Sequence, residues 1–160
     1  MTTFSITPAA PRDLPHIQKL ICCLSAFHGD EAEVTLEQLQ GFFFGDSAPA
    51  LAFVARDGAE IVGYAGVLKK LQIHSARPGF DIQHLYVAER WRAQGVGRAL
   101  IAAVTAHAAE TGAKGVTIGT APDNKTAHAA YRGMGLEEIT DAGPRFWIAA
   151  EGGNDAGMPQ

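Results

Sequence analysis

The stretch from Leu85 to Leu100, LYVAERWRAQGVGRAL, constrains this chain more than any other. An apolar strand ending in Leu85, Tyr86 and Val87 runs into a short loop with two glycines and three arginines. An alanine-rich helix follows at once. That order of parts makes an anion site, because the first N–H groups of a helix lack intrahelical partners and its N-terminus carries partial positive charge. Glycine at 95 and 97 lets a ligand approach the backbone without meeting a Cβ. Arg98 falls in the first turn, where the helix dipole disfavours a cation, and a bound phosphate would reverse that penalty. A P-loop requires Gly-Lys-Ser/Thr at its end, but Gly97 is followed by Arg98. A dinucleotide fingerprint requires a third small residue three places after Gly97, and Leu100 stands there.

Composition narrows the class of ligand. A chain of 160 residues can bury one core, and 47% hydrophobic with 19% charged residues is ordinary for a globular protein. A net charge of −4 argues against a nucleic-acid binder that relies on a broad basic surface. The arginines at 90, 92 and 98 are a local cluster, which suits a small anionic cofactor better than a polymer. Met1 to Pro11 lacks the pattern of a signal peptide, and no apolar run reaches membrane-spanning length. Adjacent Cys22 and Cys23 point apart in a helix, so an ordinary disulfide between them is not expected. With apolar neighbours at Ile21 and Leu24 they read as packed, inert thiols of a cytoplasmic protein.

The pattern of elements predicts one α/β domain over residues 1–150 and a flexible tail at 151–160. Phe4–Thr7 reads as a strand. Asp13 is placed to cap a helix carrying Ile17, Leu20, Ile21, Leu24 and Phe27. Thr35 and Gln38 form a capping box for a second helix. Ala50–Ala55 and Ile61–Leu68 are apolar strands joined by an Asp57-Gly58 turn. Phe80–Val87 feeds the glycine loop, and the next helix runs from Gly97 to about Thr111. Val116–Gly119 is a short strand, and Pro122, Asp123 and Asn124 open a last helix. Leu136–Ile139 and Arg145–Ala149 read as two closing strands around a turn at residues 141–144.

Two motifs in this frame carry a family resemblance. The loop reads Arg92-x-x-Gly95-x-Gly97. The last helix reads Asn124-x-x-Ala127-x-x-x-Tyr131-x-x-x-Gly135. Together, in this order, they resemble the phosphate loop and the helix after the fifth strand of the GNAT acyltransferase superfamily. The resemblance implies a mixed, mostly antiparallel sheet flanked by about four helices, with acetyl-CoA as acyl-donor cosubstrate and no metal. It also implies that Leu85, Tyr86 and Val87 meet the pantetheine arm, and that Arg92, Ala93, Gln94, Gly95, Val96, Gly97 and Arg98 surround the pyrophosphate. Asn124 would hydrogen-bond the arm and Tyr131 would protonate the departing thiolate. Homodimers are common in the family.

The reaction also requires a free amine. Deprotonating a lysine-like ammonium at pH 7 costs about 4.6 kcal/mol, given its pKa of about 10.4. Diamine acetyltransferases, which the Thr35–Leu39 segment and the Arg145–Ile148 segment resemble, place a glutamate where this chain has Gln83. Histone-type enzymes place their carboxylate at the position of Asp81. Asp81 is therefore the first candidate base and His84 the second. Strict alternation puts Asp81, Gln83, Leu85 and Val87 on one strand face, and Ile82, His84 and Tyr86 on the other. Asp30, Glu31 and Glu33 lie in the loop that borders the acceptor pocket in such enzymes and would attract a cationic amine. The expected activity is acetyl transfer to a primary amine of a small molecule, with diamine-like amines among the candidates, by direct attack in a ternary complex. The alternatives are a non-catalytic acyl-CoA-binding regulatory domain and a protein N-terminal or lysine acetyltransferase.

Overall fold

The computed structural model describes residues 3–141 and 143–150. The chain forms two compact units, residues 1–121 and 122–160. The first contains a five-stranded sheet in sequential order: β1 (Ser5–Pro8), β2 (Ala50–Asp57), β3 (Glu60–Gln72), β4 (Arg77–Val87) and β5 (Val116–Ile118). β1 to β4 pair antiparallel, and β5 joins β4 in parallel. α1 (Leu14–Phe27) and α2 (Leu36–Phe43) precede β2, and α3 (Val96–Glu110) connects β4 to β5.

Each sheet face has its own apolar core, which is why β2 and β3 read as nearly continuous hydrophobic runs. Phe53, Ala55, Val67, Ile82, Leu100 and Val104 pack on the α3 side. Ile17, Ile21, Leu39, Ala52, Val54 and Tyr64 pack on the α1–α2 side. The two glycines inside β3 are explained by close packing. A Cβ on Gly63 would lie 2.9 Å from the Tyr86 carbonyl oxygen and 3.3 Å from Val96. One on Gly66 would lie 3.3 Å from the Tyr64 ring.

The capping box of α2 forms as its sequence requires: the Gln38 N–H donates to Thr35 Oγ1 at 3.1 Å, and the Thr35 N–H to Gln38 Oε1 at 2.9 Å. Asp13 departs from expectation. It stands at the N-cap of α1 but makes no side-chain cap bond. Its buried carboxylate instead accepts from the Ala10 N–H at 2.7 Å and from Arg56 at 2.5 Å, tying the start of α1 to β2. Phe27, the last residue of the apolar run, is exposed. Cys22 and Cys23 are exposed too, so the expectation that they pack inertly is not met; the inward stripe of α1 is carried by Leu14, Ile17 and Ile21.

In the second unit, α4 (Lys125–Gly133) forms as the sequence predicts. The two closing strands do not. Among the described residues, 136–141 and 143–150 join no ladder, and Phe146 and Ile148 are 93% and 89% exposed. An apolar run becomes a strand only when a neighbour takes its backbone hydrogen bonds, and no described strand does so. The expected turn includes Ala142, and the expected tail is 151–160; both lie outside the described residues.

Candidate active site

β4 is paired with β5 only at Phe80, Asp81 and Ile82. From Gln83 to Val87 it continues beside β3 alone among the described strands, so one backbone edge is open. That edge leads directly into the glycine loop. Ala88 N–H bonds the Val62 carbonyl at 2.8 Å, and a 3-10 turn over Glu89–Trp91 buries the Trp91 ring edge-on to Phe4. This pins the near end of the loop to the core. Arg92 Nε donates to the Val87 carbonyl at 3.0 Å, and its guanidinium lies 5.6 Å from the Tyr86 ring centroid. Burial and the neighbouring Cys23 raise the Tyr86 pKa, against the opposing effect of Arg92. Gln94 Nε2 holds the Arg90 carbonyl at 2.6 Å, while Arg90 pairs with Glu60. Arg90 and Arg92 therefore brace the loop, and Arg98 is exposed on the first turn of α3.

The loop reverses through left-handed backbone at Ala93 (φ 58°) and Gly95 (φ 86°). The first backbone N–H bonded inside α3 is that of Ala99, to the Gly95 carbonyl at 3.0 Å. The N–H groups of Val96 and Gly97 precede it, as an anion-binding helix start requires. The glycines differ in role. Gly95 occupies a conformation that an L side chain resists, whereas a Cβ at Gly97 would make ordinary contacts with Val87 at 3.9 Å and Leu85 at 4.0 Å. Gly95→Ala is therefore expected to destabilise the fold by about 1–2 kcal/mol. Gly97→Ala should be neutral or slightly stabilising, by up to about 1 kcal/mol, because it adds helix propensity. Thermal unfolding of the two variants side by side measures the difference.

Strict alternation fails on β4 for a physical reason. His84 lies opposite Gly66 and Ile82 opposite Val67, so Gln83 is the extra residue of a β-bulge. Beyond it the side chains change faces. Leu85 and Val87 pack with Ile82 on the α3 core, and Asp81, paired with Leu68, shares the α1–α2 face with His84 and Tyr86. Asp81 is engaged there by Lys70 at 3.2 Å and by the Thr117 hydroxyl.

His84 is held by a partner that sequence reading missed. Tyr64 is fully buried, and its hydroxyl lies 2.6 Å from His84 Nδ1. Burial drives the Tyr64 pKa far up, so the phenol keeps its proton. We assign it as the donor, which puts the proton of the neutral imidazole on Nε2. Burial, with a smaller effect from His28, holds the His84 pKa below its ordinary 6.5. An NMR titration should find His84 neutral down to below about pH 6.5. Tyr64→Phe should raise its titration, because the hydrogen bond to the unprotonated nitrogen is lost. The signal in the sequence was a tyrosine two residues from a glycine in an apolar strand; only the register to β4 locates its hydroxyl.

Above this floor, the α1–α2 loop and α2 line an open cleft of about 430 Å³. Gln83, His84, Glu33 and Ser25 supply its polar side chains, and Leu39, Phe42 and Phe43 are among its apolar ones. Of the acidic cluster named from the sequence, Glu33 lines the cleft; Asp30 and Glu31 do not. Gln18 Nε2 fixes the loop by donating to the Val34 carbonyl at 2.9 Å.

In the second unit, Asn124 caps α4 by accepting from the Ala127 N–H at 3.1 Å, which leaves its amide hydrogens for another partner. Tyr131 is half-buried, and burial raises its pKa. The Leu136 N–H bonds the Tyr131 carbonyl at 3.1 Å, and Gly135 turns the chain with φ 86°.

The open β4 edge running into a glycine-turned helix start is the arrangement that the GNAT resemblance implies. Residues 17–136 match the model of the acetyltransferase (GNAT) family. The chain belongs to that family and is an N-acetyltransferase by class. It is 36% identical over 113 residues to an aminoglycoside N(6')-acetyltransferase type 1 of Stenotrophomonas maltophilia, covering 68% of this chain and 72% of that protein. It is 30% identical over 111 residues to N-acetyltransferase 8B of Rattus norvegicus, covering 69% of this chain and 47% of that one. Among solved structures, an aminoglycoside acetyltransferase from an uncultured soil metagenomic sample superposes with a TM-score of 0.79 at 24% identity, over 92% of this chain and 97% of that one. No helix among the described residues is long and apolar enough to cross a membrane.

Proposed function

We propose that the protein transfers the acetyl group of acetyl-CoA to a primary amine of a small molecule, by direct attack in a ternary complex. The observation that carries this is the continuity of the open β4 edge with the start of α3. A pantetheine arm carries amides that can add to a strand edge, and a pyrophosphate suits the helix N-terminus beyond it. Backbone at Leu85–Val87 would bind the arm. Amides from about Gln94 to Arg98 would bind the phosphates, with Arg92 shaping the turn. The Asn124 amide hydrogens would meet the arm.

The free amine attacks the thioester carbon, and the C–S bond breaks as the tetrahedral species collapses. The nitrogen gives up a proton and the sulfur gains one. Tyr131, protonated at neutral pH, donates to the sulfur. A phenol of pKa about 10 is a weaker acid than a thiol of about 8.5, so this transfer runs uphill alone; the strongly downhill loss of the proton from nitrogen drives the pair. His84, neutral and bonded through Nδ1, presents Nε2–H as a donor in its resting tautomer. Asp81 is paired with Lys70 and does not line the cleft, so a water molecule would be the first acceptor of the amine proton. The curated relatives, N-acetyltransferases by name, support an amine acceptor. Initial velocities of thiol release, with both substrates varied, test the ternary complex: intersecting reciprocal plots are expected, and parallel ones would indicate a covalent acetyl-enzyme instead.

A further inference from the structure

We infer that the acceptor is a primary monoamine with an apolar body, an arylalkyl or branched alkyl amine, and not a polycationic sugar or polyamine. The inference rests on the N-acetyltransferase reading above and names its substrate class. The walls of the cleft are Val34, Leu39, Phe42, Phe43, Pro49 and Leu68. Such walls stabilise carbon and offer no partner to hydroxyl or ammonium groups. The polar groups stand apart from them: Gln83 and His84 on the sheet and Ser25 and Glu33 from the helix and loop. Among the described residues that line the cleft, Glu33 alone carries a carboxylate, enough to attract one ammonium. An aminoglycoside brings several ammonium groups and a shell of hydroxyls, and all but one of those charges would face apolar carbon unpaired. Size agrees. The cleft, about 430 Å³ and open to solvent on one side, has room for one ring and a short chain, on the scale of roughly 300–1,000 Å³ for small-molecule sites.

The charges around the cleft fit a single amine as well. Asp30 and Glu31 are exposed outside it, and Asp81 is paired with Lys70, so none of them offers a second anchor inside. His84 is neutral and does not repel the entering cation. Once the amine leaves water, apolar walls favour its uncharged form, which is the form that attacks.

The test compares 2-phenylethylamine, spermidine and kanamycin as acceptors at saturating acetyl-CoA, following thiol release. The expected result is a kcat/KM at least about 100-fold higher for 2-phenylethylamine than for either polycation. Phe42→Ser should raise KM for 2-phenylethylamine about tenfold with kcat nearly unchanged, and Phe42 is 44% exposed, so the variant is a safe one to fold. Glu33→Gln, on the exposed loop, should likewise raise KM. Preferred turnover of kanamycin or spermidine would overturn the inference and leave the acetyltransferase reading standing. Absence of transfer to every amine, with acetyl-CoA bound, would overturn that reading and the inference with it.

Discussion

Tyr131→Phe is expected to lower kcat by about 100-fold, the lower end of what one positioned acid supplies, with little change in the KM of acetyl-CoA. Phe keeps the half-buried ring in α4 and removes only the hydroxyl, so packing is preserved. The loss should fall on the step in which sulfur departs. A thioester of a more acidic thiol should therefore recover much of the rate in the variant, because its thiolate leaves without help. A kcat within about twofold of the wild type, well short of the range for a general acid, would remove the tyrosine from the mechanism while leaving the enzyme.

The second large effect is on stability. Asp13→Ala is expected to cost about 3–5 kcal/mol, because it leaves Arg56 without its carboxylate partner in a largely buried site. For a chain of this size that is a fall in Tm of about 6 °C or more, at about 2–4 °C per kcal/mol. The bond from the Ala10 N–H is lost as well, so the turn that leads into α1 loosens with the ion pair. The same pair sets a pH dependence. Burial alone would raise the Asp13 pKa, but hydrogen bonds from Arg56 and the Ala10 N–H, with the charges of Arg56 and Arg12, outweigh it and hold it below 3.8. A carboxylate whose pKa is depressed by folding contributes its stability above the unfolded value of about 3.9 and loses it as pH falls through the folded one. Chemical denaturation of wild type and Asp13→Ala should therefore differ most at neutral pH and converge in strong acid. Equal stabilities at pH 7 would contradict this account.

The parts of the fold that could be read from the sequence are those fixed by local chemistry. Thr35 and Gln38 announce their own helix start, and Gly95 marks the turn that leads into α3, where it takes φ 86°. What escaped depends on long-range pairing. The bulge at Gln83 is invisible in a run that alternates acceptably, yet it carries Asp81 to the face opposite the one that alternation assigns. Tyr64 reaches His84 only through the register of β3 on β4, and Asp13 exchanges a local cap for an ion pair with a residue on β2. The apolar runs around Leu136 and Trp147 illustrate the reverse error, since they alternate like strands but have no partner among the described residues. The chemistry of the cleft was hardest to read. Leu39, Phe42 and Phe43 fall on α2 at spacings that carry no mark of a site, and only packing shows that they wall a cleft.

The central claim is tested most directly by incubating the protein with acetyl-CoA and a set of small primary amines, then measuring free CoA thiol and acetylated amine in the same sample. The account predicts that the two products appear one to one with at least one amine, and that neither appears when the amine is omitted. Tight binding of acetyl-CoA with no acetylated product from any amine would contradict it and would identify the chain as a binder of acyl-CoA.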